Sequence, residues 1–204
     1  MYKYLLWDID GTIIDFLSTE KAAIKALFVK YGFGECSDEK VAEYSKINIG
    51  YWEKLERGEM TKPEILVERF RDFFGANGID VSLAEQFNDD YQYELGETHE
   101  MYDHADEVLA SLKGEYVLAA VTNGTKIAQT KKLRDTGLDK IFDYVFISKT
   151  GNKRFSRENY EGLITNLEIS GMLLIDIYLF ILCLYISFKF LFILDANILG
   201  ILTL

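Results

Sequence analysis

Leu5-Leu6-Trp7-Asp8-Ile9-Asp10-Gly11-Thr12, the run LLWDIDGT, sets two carboxylates one residue apart directly behind an apolar segment. Residues 2–8 are mostly large and apolar and alternate poorly, which predicts a strand buried on both faces. Acids at the surface need no such setting, and the middle of a buried strand does not choose them. Asp8 and Asp10 therefore hold a metal, attack an electrophile, or merely end the strand. Gly11 lets the backbone bend just after them.

The next eighty residues read as helices. Ser18 opens the first, with Ala22, Ala23, Leu27 and Phe28 on one face and an end near Gly32 and Gly34. Ser37 caps a second, through Val41 and Tyr44. Thr61-Lys62-Pro63-Glu64 is a capping box with Pro in the first turn, and Ile65, Leu66, Phe70, Phe73 and Phe74 follow at helical spacing. Ser82-Leu83-Ala84-Glu85 reads as a second capping box, for a helix through Tyr91.

From Ala105 the pattern changes. Residues 106–112 form a short amphipathic helix, and 116–121 are an apolar run of strand length. Thr122-Asn123-Gly124-Thr125 makes a turn into a basic helix from Ile127 to about Thr136, and 142–147 read as another buried strand. This alternation implies an α/β fold: a Rossmann-like parallel sheet with helices on both faces. The first strand belongs to that sheet, so the helical block at 16–98 is an insertion after it. The expected division is a core of 1–15 and 99–176, an all-helical cap subdomain at 16–98, and an atypical apolar tail at 177–204.

Bulk properties narrow the function. The net charge of −11 over 204 residues argues against nucleic acid or an anionic membrane as main partner. Cys36 and Cys183 stand far apart in no metal spacing and read as free thiols of a reducing compartment, which fits a cytoplasmic protein. His99 and His104, five apart, fall on different helix faces and read as surface or loop residues. No secretory signal is expected, because Asp8 and Asp10 interrupt the N-terminal apolar run.

Ligands of open parallel sheets bind beyond the carboxyl ends of the strands. Asp8 and Asp10 end one strand and Thr122 ends another, so two acids, a hydroxyl and turn amides share one edge. Carboxylate oxygens suit Mg²⁺, and a carboxylate is also a nucleophile toward phosphorus. The hydroxyl of Thr122, the amide of Asn123 and the turn at Gly11 can hold phosphate oxygens.

These residues resemble the haloacid-dehalogenase-type phosphohydrolases of the helical-cap type. The resemblance covers roughly residues 2–170 and rests on DIDGT at 8–12, VTNGT at 121–125 and the helical block between them. It implies Asp8 as nucleophile, Asp10 as general acid/base, Thr122 as phosphoryl holder and Mg²⁺ as cofactor. Dehalogenating members lack the second acid, so Asp10 favours phosphate chemistry. NIGYWEKLERGEMT at 48–61 and the stretch 121–148 are similar to the noncanonical pyrimidine nucleotidases. That finer likeness implies a small phosphorylated metabolite, a pyrimidine nucleoside 5′-monophosphate, as substrate. Phe16, Tyr51 and Trp52 are candidates to stack on its base, although aromatics there are more often cap core.

Two elements that the family implies are altered here. Its lysine, commonly followed by Pro, falls in Ser148-Lys149-Thr150-Gly151-Asn152-Lys153-Arg154-Phe155: Lys153 fits by chemistry, Arg154 by register, Lys149 less well. Its last acidic pair is half present. Asp176 ends an apolar run and would complete a magnesium set of Asp8, Asp10 and Asp176, but Phe180 and Ile181 stand where the second acid belongs. The stretch IYLFILCLYISFKFLFIL at 177–194 carries Lys189 as its one charge. It reads as a buried remnant, a membrane segment or residues translated out of frame. The membrane reading is disfavoured by Lys189 near its middle and the want of flanking basic residues. The third is preferred, because Ile, Leu, Phe, Tyr and Lys share AT-rich codons.

Overall fold

The computed structural model describes residues 4–148. The expectations at Lys149, Lys153, Arg154, Asp176 and Cys183, and for the tail at 177–204, lie outside the described residues.

Three strands, β1 (Tyr4–Trp7), β2 (Val117–Thr122) and β3 (Tyr144–Ile147), form a parallel sheet in the order β1-β2-β3. The register pairs Trp7 with Ala120 and Thr122 with Ile147. All three strands therefore run toward one rim, where their carboxyl ends emerge. After β1 the chain first forms four helices: α1 (Phe16–Lys30), α2 (Asp38–Glu56), α3 (Lys62–Ala76) and α4 (Ala84–Glu97). They are the inserted helical cap. α5 (Ala105–Leu112) precedes β2, and α6 (Lys126–Asp135) joins β2 to β3.

Local chemistry sets most of these boundaries. Thr61 and Glu64 form the reciprocal capping box of α3, and the Ser37 side chain accepts the Lys40 N–H to start α2. Two starts differ from the sequence reading. α1 begins two residues before Ser18, because the Asp15 carboxylate accepts the Ser18 N–H. Its buried face is accordingly Ala23, Ile24, Leu27 and Phe28, and Ala22 is exposed. Ser82 caps nothing; the Asp80 carboxylate accepts the Ser82 N–H and winds a single 3₁₀ turn ahead of α4. β3 is also more open than a buried strand, with Tyr144 and Val145 exposed, since among the described residues it pairs on one side only.

Among the described residues two larger apolar cores result, beside a small cluster of Tyr51, Leu55 and Ile65. One fills the cap with Phe28, Tyr44, Phe70, Phe73, Phe74, Phe87 and Tyr91, all fully buried, and the Tyr44 and Phe70 rings stack at 5.0 Å. Each such ring contributes roughly 1.5–3 kcal/mol by leaving water. The other lies against the sheet and includes Leu5, Ile9, Ile13, Ile14, Leu109, Leu118, Leu133 and Phe142. The two linkers of the insertion run side by side: Asp15 N–H donates to Glu100 O (2.7 Å) and Tyr102 N–H to Ile13 O (2.9 Å).

A buried polar chain crosses the cap. Glu20 accepts from Ser45 and from Asn48 (2.7 Å); Arg69 donates to Asn48 (2.6 Å) and Asn88 (3.2 Å); Gln92 donates to Asn88 (3.0 Å). Gln92 then accepts from the Thr125 hydroxyl (2.8 Å), and Thr125 is the N-cap of α6. Burial pushes the Glu20 carboxyl above its ordinary range despite these donors and Arg69. Among the described residues no helix is long and apolar enough to cross a membrane.

Candidate active site

The segment after β1 is pinned from below. Ile9, Ile13 and Ile14 are buried in the sheet core, and the amides of Ile13 and Ile14 both donate to Ile9 O at 3.0 Å. This tight return needs Gly11 in the left-handed region, at φ 84°. Its amide closes the loop on Ile14 O at 2.8 Å. Asp8 and Asp10, alternating with the buried isoleucine, are left half-exposed at the rim. Asp8 accepts the Ile9 N–H at 2.9 Å.

Thr122 arrives at the same rim from β2, one strand over, and is buried. Its hydroxyl accepts the Gly124 N–H (3.1 Å), and its carbonyl accepts the Ser148 N–H (3.0 Å), which ties the end of β3 to the end of β2. The Gly124 amide is thereby committed to Thr122. Asn123 and Gly124 are half-exposed beside it.

Asp10 is held by two side chains of α6. Lys132 Nζ lies 2.6 Å from one carboxylate oxygen and Gln129 Nε2 lies 2.5 Å from the other. Both donors are buried, at 0% and 1% exposure, and Lys132 also stands over the Phe16 ring at 5.4 Å. They sit three apart on one helix face, which is why a single carboxylate meets both. The sequence alone reads α6 as a basic helix from Ile127 to about Thr136. The missed signal is the stripe Ala128, Gln129, Lys132, Leu133, which keeps the spacing of a buried face.

Lys62 was also missed. At the start of α3 it points out of the cap and donates to Gly124 O (2.8 Å) and Ser148 O (3.2 Å), the residues that follow β2 and β3. Burial pushes its ammonium down to about 8. Its local sequence is accounted for by the capping box and gives no hint of this reach. A cleft of about 620 Å³ opens next to Lys62, between Leu66 and Asn88 of the cap and Thr125 and Ser148 of the core. That volume is within the range of small-ligand sites.

Other candidates fall elsewhere. Tyr51 is buried against α3, donates to Asp72 at 2.6 Å and carries Lys54 over its ring, so it is packed as cap core. Trp52 packs against the small cluster of Tyr51, Leu55 and Ile65. Phe16 lies against the cap core and under Lys132. His104 is exposed in a loop beside Glu107, and His99 is half-buried with its ring nitrogen 3.0 Å from Gly96 O.

The donor set suits a hard cation. Mg²⁺ takes one or two carboxylates and fills its remaining positions with water and substrate phosphate. Asp8 and Asp10 offer such oxygens, and each Asp10 oxygen retains a lone pair beyond the one taken by α6. Among the described residues no group of three His, Cys, Asp or Glu side chains gathers into an all-protein cage.

The chain is similar in sequence and fold to known proteins. The family described as haloacid dehalogenase-like hydrolase matches residues 5–171. YfnB of Bacillus subtilis strain 168, named as a HAD-hydrolase, is 36% identical over 162 residues, 78% of this chain and 67% of YfnB. PynA of Streptococcus pneumoniae, named as a pyrimidine 5′-nucleotidase, is 33% identical over 152 residues, 72% of this chain and 62% of PynA. The chain thus spans about two thirds of the length of these relatives. A magnesium-bound crystal structure of YfnB superposes with a TM-score of 0.74 at 32% identity, covering 80% of this chain and 73% of that one.

Proposed function

This chain belongs to the haloacid dehalogenase-like hydrolase family, and from that premise we propose that it is a Mg²⁺-dependent phosphomonoesterase acting on pyrimidine nucleoside 5′-monophosphates. The observation that carries the reading is the shared rim: the rigid Asp8–Asp10 loop ends β1 beside Thr122 at the end of β2. The likeness to PynA supports the nucleotide as substrate class.

In this reading a phosphate monoester lies against Thr122 and Asn123. An Asp8 oxygen attacks phosphorus in line, the Asp8–phosphorus bond forms, and the bond to the leaving oxygen breaks. Asp10 hands its proton to that oxygen, then takes one from the water that opens the aspartyl-phosphate. Inorganic phosphate leaves and Asp8 is regenerated. Magnesium, when held by Asp8, Asp10 and Asp176, offsets negative charge on the phosphoryl group. Lys153 is the expected core cation. The helical cap excludes water and selects the leaving group.

The test is hydrolysis of uridine and thymidine monophosphates and of a generic aryl phosphate, with Mg²⁺, by wild type and Asp8→Asn. Loss of the nucleophile is expected to lower kcat by at least about 10³-fold. Equal rates in the two proteins reject the proposal. A phosphomutase would instead pass the phosphoryl group to a sugar hydroxyl. A chain that keeps the fold without turnover is the competing reading, motivated by Phe180 and Ile181 at the position of the last acid; a wild type as inert as Asp8→Asn would establish it.

A further inference from the structure

We infer that Lys132 and Gln129 of α6 are positioning residues that clamp the Asp10 carboxylate by both oxygens and lock it to the turn that follows β2. The inference rests on the reading of Asp10 as the acid/base of this site.

Two donors on two oxygens fix the plane of a carboxylate, which a single hydrogen bond leaves free to rotate. General acid–base transfer depends on that orientation, since small misplacements of a catalytic group cost large factors in rate. The clamp is an expensive way to fill space. Lys132 is fully buried, and Asp10 is its one ion-pair partner among the described residues. Buried ion pairs of this kind are commonly matched or bettered in stability by apolar side chains of similar size. Gln129 is equally buried, and among the described residues its Oε1 has no hydrogen-bond partner. A purely structural face at these positions would be better served by Leu or Met.

The same glutamine explains the turn. A Cβ placed on Gly124 would lie 2.1 Å from Gln129 Nε2 and 2.7 Å from its Cδ and Cγ. The amide of Gln129 thus passes directly over Gly124 on its way to Asp10. Gly124 in turn donates to the Thr122 hydroxyl. The acid of β1 and the phosphate-holding turn of β2 are therefore registered against each other through one side chain, and α6 carries both registrations.

The test measures kcat and KM for Lys132→Met and Gln129→Leu, each alone and combined with Asp10→Asn, with thermal melting as the folding control. Each single variant is expected to lower kcat by 10- to 100-fold while KM stays within threefold, a range typical of a displaced catalytic group. In the Asp10→Asn background neither substitution lowers kcat further, because its effect passes through the carboxylate already removed. Wild-type kcat in a folded Lys132→Met or Gln129→Leu overturns the inference, as does a full additional loss on top of Asp10→Asn. Should Lys132→Met fail to fold, Gln129→Leu alone decides by the same criteria. A wild type no faster than Asp8→Asn overturns the underlying phosphohydrolase reading and the inference with it, a result distinct from an active wild type with indifferent clamp variants.

Discussion

Gly124 has no space for a side chain, because Gln129 crosses it on the way to Asp10. Gly124→Ala must push the glutamine aside or move the turn. Overpacking of this kind costs about 1–3 kcal/mol, and a misplaced group of about 1 Å can cost on the order of 10²-fold in rate. The expected outcome is a modest fall in melting temperature with a much larger fall in kcat, and Gly124→Ala/Gln129→Ala should regain the stability but not the rate. Gly11 is constrained differently: nothing among the described residues crowds it, but its φ of 84° is the left-handed region that penalises any Cβ.

At the scale of elements, the cap is joined to α6 by side chains rather than by apolar surface alone. The chain from Glu20 through Asn48, Arg69, Asn88 and Gln92 ends on Thr125, where α6 begins. Arg69 is its hub, 2% exposed, with three acceptors. Arg69→Met leaves the buried Glu20 carboxylate without its nearby cation, so a loss on the order of 3 kcal/mol is expected. A melting experiment would read that as a fall of roughly 6–12 °C. Thr125→Val removes both the N-cap of α6 and the link to Gln92 and should cost about 1 kcal/mol. Because α6 carries Lys132 and Gln129, that variant also tests whether a frayed helix start reaches Asp10, read as a drop in kcat.

For the whole molecule, Lys62 is the point where the cap touches the ends of β2 and β3. Its ammonium is pushed from 10.5 to about 8 by burial, so the unfolded chain binds more protons than the folded one between those values. Stability contributed by this group therefore rises as pH climbs from about 8 to 10.5 and is flat below. Each unit of pKa is worth about 1.4 kcal/mol, so the rise is on the order of 3 kcal/mol before the two carbonyl hydrogen bonds, which favour the charged form, are set against it. Urea unfolding of wild type and Lys62→Met across pH 7.5–10.5 checks this, the range following from the same pKa window. The difference in unfolding free energy between the two should change over this window, and a constant difference would contradict the burial of a charged Lys62.

The sequence by itself determined the elements, their order and the rim. Apolar runs, caps at Ser37 and Thr61, and Asp8, Asp10 and Thr122 at strand ends are local signals, and β1, α2, α3 and β2 follow from them because period, capping and turn chemistry act within a few residues. Where two local signals competed, as between Asp15 and Ser18 or Asp80 and Ser82, the better-placed carboxylate won and the boundary moved. Only the tertiary structure decided which polar side chains meet the site. Gln129 and Lys132 stand 119 and 122 residues from Asp10, and Lys62 stands 62 and 86 residues from the carbonyls it holds. The stripe at 128, 129, 132 and 133 marks a buried face of α6, but no pattern along the chain names the distant acid that its lysine will meet, and none marks Lys62. That choice is made when the helices pack, and the cost of leaving a buried charge without a partner selects the arrangement that gives it one.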